Sequence, residues 1–119
     1  MNSKIARINA EIEKQVAGII STRLNDPRLS GGLISVTSVK TTADLKYAKV
    51  YVSMLNIENK EEALKAVNNA KGFIRNELMN TMSIRNMPEL TFYLDASIEY
   101  GMKIDRLLKE IKEKDEGNN

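Results

Sequence analysis

The apolar residues Ile5, Ile8, Ile12, Val16 and Ile19 recur at spacings of three and four, so the chain opens with one stripe of an amphipathic helix whose other faces are largely polar. The pattern stops at NDPRLSGG. There the ring of Pro27 forbids helical continuation and biases Asp26 toward an extended backbone, and Gly31 and Gly32 release the chain into a turn. LISVTSVK at 33–40 and LKYAKVYVSML at 45–55 then alternate with period two and are rich in β-branched and aromatic residues, which predicts an antiparallel hairpin closed by TTAD. On its second strand Ala48, Val50, Val52 and Met54 share the face expected to meet the core, while Tyr47, Lys49, Tyr51 and Ser53 share the other. Asn59 with Glu62 three residues on predicts a capped helix start, and the helical pattern continues toward Arg85 until Pro88 closes it. LTFYLDAS alternates again, with Leu90, Phe92 and Leu94 inward and Thr91, Tyr93 and Asp95 outward. Ser97 is placed to cap a last helix striped by Tyr100, Ile104, Leu107, Leu108 and Ile111, after which KEKDEGNN reads as a solvated end.

Inside the long helical pattern, NNAKGFIRNEL holds a glycine that costs on the order of 1 kcal/mol relative to alanine. On an uninterrupted helix at about 100° per residue, with the stripe fixed by Leu64, Val67, Ile74 and Leu78, Lys71 falls among aliphatics and Phe73 faces water. A kink at Ala70, Lys71 and Gly72 repairs both faults: Phe73, Ile74, Leu78 and Met82 pack the second arm and Lys71 turns outward. The second arm then begins with backbone N–H groups beside Lys71 and Arg75, a favourable place for phosphate.

The order is thus α-β-β-α-kink-α-β-α. It predicts an α+β fold: one domain over residues 1–111, built on a three-stranded mixed sheet with helices on one face, and a flexible C-terminal tail over 112–119. A helix pair meeting at a glycine turn on such a sheet is how KH domains clamp a nucleic-acid backbone, through Gly-x-x-Gly. The glycines here stand at 18, 31, 32, 72, 101 and 117, so that tetrapeptide is absent and the topology is KH-like with a degenerate clamp.

Composition narrows the chemistry. With no cysteine and no histidine, the chain lacks thiolate ligands, disulfides and the usual general base, which argues against an enzyme and against a metal site. The adjacent Glu61 and Glu62 point apart on a helix and suit its first turn better than a chelate, and Glu11 and Glu13 merely interrupt the apolar residues of the first helix. No run approaches transmembrane length and the amino end has no continuous signal-peptide core, so a cytoplasmic protein with no membrane partner is expected. Lys and Arg exceed Asp and Glu by 18 to 16, so the placement of cations matters more than their number.

Lys71, Gly72 and Arg75 at the kink, and Arg85 at the far end of the second arm, are the first candidates for phosphate contact. Arg28 in the DPRL loop, Lys4 and Arg7 on the first helix, and Lys46 and Lys49 on the hairpin extend the footprint. Tyr47, Tyr51 and Tyr93 line the open sheet face, where bases stack in sheet-based RNA readers. A protein-interaction module that pairs with a partner through this open face or an edge strand is the alternative; it makes the tyrosines essential and Lys71 and Arg75 dispensable. A double-stranded RNA domain fits less well, because it needs three successive strands and only two precede Asn59.

Four blocks carry a family resemblance: DPRL at 26–29, AKVYVS at 48–53, AKGFIR at 70–75 and PELTF at 88–92. From about residue 4 to Leu108, in order and spacing, the chain resembles bacterial ribosome-binding factor A. The resemblance implies a type II KH fold in which an Ala-x-Gly kink, here Ala70, Lys71 and Gly72, replaces the usual clamp. It also implies a non-catalytic, cofactor-free assembly factor, expected to be a monomer, that binds the immature, free small ribosomal subunit near its neck. There the family binds small-subunit ribosomal RNA, aids 5′-end maturation, and matters most in the cold. An assembly GTPase can promote release in the family. Longer members carry an extended charged tail, whereas this chain stops soon after its last helix.

Overall fold

A computed structural model describes residues 3–95 and 103–112. Helix α1 (Ser3–Arg23) buries Ile8, Ile12, Val16, Ile19 and Ile20, the face set by the three-and-four spacing. A single 3-10 turn, Pro27–Leu29, follows, capped by the Asp26 carboxylate, which accepts the Arg28 N–H at 2.9 Å. Gly31 has φ of 80°, and a Cβ on Gly32 would lie 2.6 Å from the Leu55 carbonyl oxygen, so both glycines are required where the chain enters β1 (Leu33–Thr41).

Strands β1 and β2 (Tyr47–Leu55) pair antiparallel, and β3 (Glu89–Leu94) adds parallel to β2, giving the mixed order β1-β2-β3. The parallel step runs through α2 (Lys60–Asn69) and α3 (Lys71–Thr81). Ala48, Val50, Val52, Met54, Leu90 and Phe92 pack in one cluster with the buried faces of all three helices. The expected α+β architecture, with the helices on one sheet face, is therefore what the chain adopts. None of these helices is long and apolar enough to cross a membrane.

The strand pattern needs one correction. The register passes from Val36↔Val52 to Ser38↔Tyr51, so Thr37 is an extra residue in a β-bulge. Its hydroxyl donates to Asp95 Oδ2 at 2.6 Å and lies 3.2 Å from the Tyr51 carbonyl. Ile34 and Val36 face the core before the bulge, and Val39 does after it, so the period of two breaks at Thr37 rather than running through 33–40.

Two helix expectations also change. Helix α3 stops at Thr81, and Met82 is extended at φ −105°, ψ 136°, which carries its side chain into the core; residues up to 88 form a loop, not a helix running toward Arg85. The last stripe is helical over 103–112 but does not join the core: Leu108 is 60% and Ile111 58% exposed. Ser97 and Tyr100 lie outside the described residues, as do 113–119 of the expected tail, whose first residue, Lys112, is still helical.

Candidate nucleic-acid interface

The break between α2 and α3 falls on Ala70, with φ −91° and ψ 4°. Its N–H is shared between the Ala66 and Val67 carbonyls at 3.2 and 3.1 Å, which closes α2, and its carbonyl accepts from Ile74 N–H at 2.9 Å, which starts α3. What holds the end of α2 in place is Asn68. Its amide donates to the Phe92 carbonyl at 3.1 Å and accepts the Phe92 N–H at 2.9 Å, so one side chain satisfies both outward groups of that residue on the edge strand β3.

Gly72 is the second residue of α3 and lies beyond the break. A Cβ built there meets nothing within 4 Å. No side chain caps this helix end, and Lys71 is exposed beside it. Phe73, expected to pack, is instead 44% exposed. The reason is phase: the buried Ile74 and Leu78 lie about 100° and 140° round the helix from Phe73, and a break at Ala70 precedes all three without changing their relation, while Met82 reaches the core only because the chain has left the helix.

One turn beyond Lys71, Arg75 points into a cavity of about 620 Å³. Lys4 from α1, Lys46 from the hairpin loop, Arg75 from α3 and Arg85 from the 82–88 loop all line it, with Ile8, Ile84 and Met87 as its apolar floor. Arg75 is partly spent on structure, because its Nη2 donates to the Met87 carbonyl at 2.8 Å and its Nε to the Pro88 carbonyl at 3.3 Å. These bonds fix the loop that carries Arg85 and leave part of the guanidinium fork for a ligand. Arg85 is thus a loop residue rather than the end of a helical arm. Asp44 also lines the cavity, but its carboxylate accepts from the Thr42 hydroxyl at 2.6 Å and the Lys46 N–H at 3.1 Å; these bonds hold its pKa below the ordinary carboxylate value.

The other candidates divide. Arg7 lines a neighbouring cavity of about 360 Å³ that shares Ile8, Ser83 and Ile84 with the first, so it flanks the same surface. Arg28 does not join it. Its guanidinium is held by Asp26 at 2.9 and 3.1 Å, a bond that lowers the Asp26 pKa and raises that of Arg28, and it leans toward Glu62 at 3.9 Å. Lys49 sits on the opposite sheet face, its ammonium 5.9 Å from the Tyr93 ring centre, next to the stacked rings of Tyr51 and Tyr93 at 5.7 Å. Lys40, which the sequence reading passed over, stands 5.6 Å from the Tyr51 ring; its register opposite Lys49 is the signal that would have found it. Among the described residues, no group of three or more acidic side chains could hold a metal ion.

Residues 4–108 match the family model described as ribosome-binding factor A. The chain is 49% identical over 117 residues to a Clostridium botulinum protein named ribosome-binding factor A, covering 98% of this chain and 97% of that one. It superposes on the crystal structure of ribosome-binding factor A from Thermus thermophilus with a TM-score of 0.67 and 30% identity, over 76% of this chain and 93% of that chain. It is also similar to a Thermus thermophilus ribosome-binding factor A homology model fitted into the electron microscopy map of its complex with the 30S subunit, with a TM-score of 0.62, 30% identity, and 74% and 91% of the two chains covered. A match along this length, joined to the shared fold, places the chain in the ribosome-binding factor A family.

Proposed function

We propose that this protein is a non-catalytic assembly factor that binds the immature small ribosomal subunit through phosphates of its ribosomal RNA. The observation that carries the reading is the convergence of Lys4, Lys46, Arg75 and Arg85, from four separate segments, on one cavity. Lys71 and the bare Gly72 continue that surface one helical turn along α3, and Arg7 flanks it. The cations come from rigid or hydrogen-bonded elements, so they are set to track a folded backbone by shape and charge rather than to read bases. Arg28 and Lys49 have no part in this contact. A KH-like clamp without the usual glycine pair fits the break at Ala70, with α3 supplying the end that approaches the phosphate.

The Thermus relative's fit to a 30S complex supports the subunit as the partner. Aid to 5′-end maturation of the ribosomal RNA, greatest in the cold, release by an assembly GTPase, and action as a cytoplasmic monomer follow as parts of the same reading. The rival in which a partner strand pairs with the sheet is disfavoured at β3, where Asn68 already occupies the edge at Phe92.

Sedimentation of the purified protein with free small subunits across a salt series tests the reading. Four neutralised phosphates give a slope of log affinity against log salt of about −3 to −4. A flat response, or unchanged binding by a Lys46→Ala, Arg85→Ala double variant, would sink it. Accumulation of 5′-extended small-subunit RNA in cold-grown cells carrying that variant checks the maturation role.

A further inference from the structure

Two apolar surfaces of this chain face solvent together. One is the stripe of Ile104, Leu107, Leu108 and Ile111 on the 103–112 helix, whose spacing of three and four puts all four on one side, the half-buried Ile104 beside the exposed other three. The other lies on the sheet face away from the core. There Leu33 and Leu55 are cross-strand partners, 57% and 43% exposed, and beyond the paired Ser35 and Ser53 the stacked Tyr51 and Tyr93 rings span β2 and β3. No other described helix covers that face, since the core cluster lies on the opposite one. Exposed apolar side chains on both sides of the small serine pair leave room for an apolar helix to lie across them.

The position of the chain identifies what makes it. Asp95 N–H donates to the Val52 carbonyl at 2.7 Å, so the chain leaves the sheet at the end of β2 where Leu55 stands. Lys103 follows after residues 96–102, a connection that reaches at most about 28 Å. A tether of this length holds the helix near its own sheet at an effective concentration of about a millimolar, which a free partner has to exceed. Dimensions agree as well: three strands span about 10 Å between outer axes, the width of one helix. Asp105 and Glu110 fall about 60° outside the two edges of the stripe, where they can approach Lys40 and Lys49 beside the tyrosines.

We infer that the 103–112 helix docks through Leu107, Leu108 and Ile111 onto the Leu33, Leu55 and Tyr93 strip of its own sheet, a second conformation that covers the tyrosine–lysine face. The inference does not depend on how the cavity binds its ligand, because the two lie on different surfaces. In the docked form the sheet face is closed to any partner, and release of the helix exposes it.

The absence of cysteine makes the test clean. The full chain carrying Leu55→Cys with Leu108→Cys is expected to close an intramolecular disulfide on mild oxidation. The pair Phe73→Cys with Leu108→Cys, which reports random encounters with the helical side, should close at least about tenfold more slowly. Equal rates overturn the docking, and so does a disulfide-linked dimer, which would assign the stripe to a second copy. A cysteine-free check uses Leu107→Glu with Leu108→Glu, both at exposed positions. The ring signals of Tyr51 and Tyr93 in the NMR spectrum should shift, and unchanged rings overturn the inference even if the cysteine variants fail to fold.

Discussion

Replacing Gly72 by alanine separates what the fold needs from what the ligand needs. The position is the second residue of α3, its φ is not positive, and an added Cβ meets nothing within 4 Å. Neither strain nor a clash opposes the change, so the free protein gains the ordinary helix propensity of alanine over glycine, about 0.5–1 kcal/mol. For a chain of 119 residues this raises the thermal midpoint by about 2–5 °C. Yet the methyl group occupies the space in front of an uncapped helix end beside Lys71, where the proposed phosphate approaches. Subunit affinity is expected to fall at least about tenfold, equivalent to about 1.4 kcal/mol. Calorimetry and sedimentation on one preparation measure both. A lower midpoint would mean that the glycine serves the break itself; a raised midpoint with unchanged affinity would mean that nothing comes close to this helix end, and the phosphate assignment there would fail.

Asn68→Asp keeps the size of the side chain but replaces the donor facing the Phe92 carbonyl with a carboxylate oxygen, so stability should drop by about 1–3 kcal/mol, read as a lower urea midpoint. An unchanged midpoint would show that the edge of β3 does not depend on this amide. Arg75→Lys removes the fork that holds the Met87 and Pro88 carbonyls, and should cost about 1–2 kcal/mol in urea unfolding as well as affinity, whereas Arg85→Ala should weaken binding alone. Asp26 is a carboxylate whose pKa is lowered in the folded state, chiefly by the Arg28 side chain. The native state therefore binds fewer protons there than the unfolded chain, and the stabilisation is present above the ordinary carboxylate pKa and lost as pH falls through the lower folded value. Asp26→Asn should flatten the acid limb of the stability profile below about pH 4 and leave neutral pH binding intact, which a pH series of urea melts can check.

Periodicity located the helices and the inward faces of β2 and β3 because burial on one side imposes a repeat that local sequence must obey. Ala48, Val50, Val52 and Met54 are all buried, as their alternation demands. Features set by contacts distant in sequence left no such repeat. The bulge at Thr37 is held by Asp95, 58 residues away, and nothing in LISVTSVK requires the extra residue. Arg75 reads as half of a cationic pair because its partners, the Met87 and Pro88 carbonyls, lie past the end of the helical pattern and are brought back to it only by the 82–88 loop. Convergence on the cavity was likewise invisible, since Lys4 and Arg85 stand far apart in sequence and only the packing of α1 and the 82–88 loop around the hairpin brings them together.

The break shows why a correct suspicion can rest on an incomplete cause. The helical phase set Lys71 against Phe73, and a single rotation at the glycine offered to repair both. The structure repairs only the first: α2 is stopped by its tie from Asn68 to the edge of β3, Ala70 takes the turn, and Lys71 lies exposed at the first position of the next helix. Phe73 keeps its fixed angle to Ile74 and stays in water. A tertiary tie, rather than backbone freedom, therefore explains the discontinuity, and the glycine two residues later is left without a role in making it. No contact of the free fold offsets its propensity cost, and the proposed phosphate contact in the open space in front of it, beside the exposed Lys71, is the compensation that the Gly72→Ala variant tests.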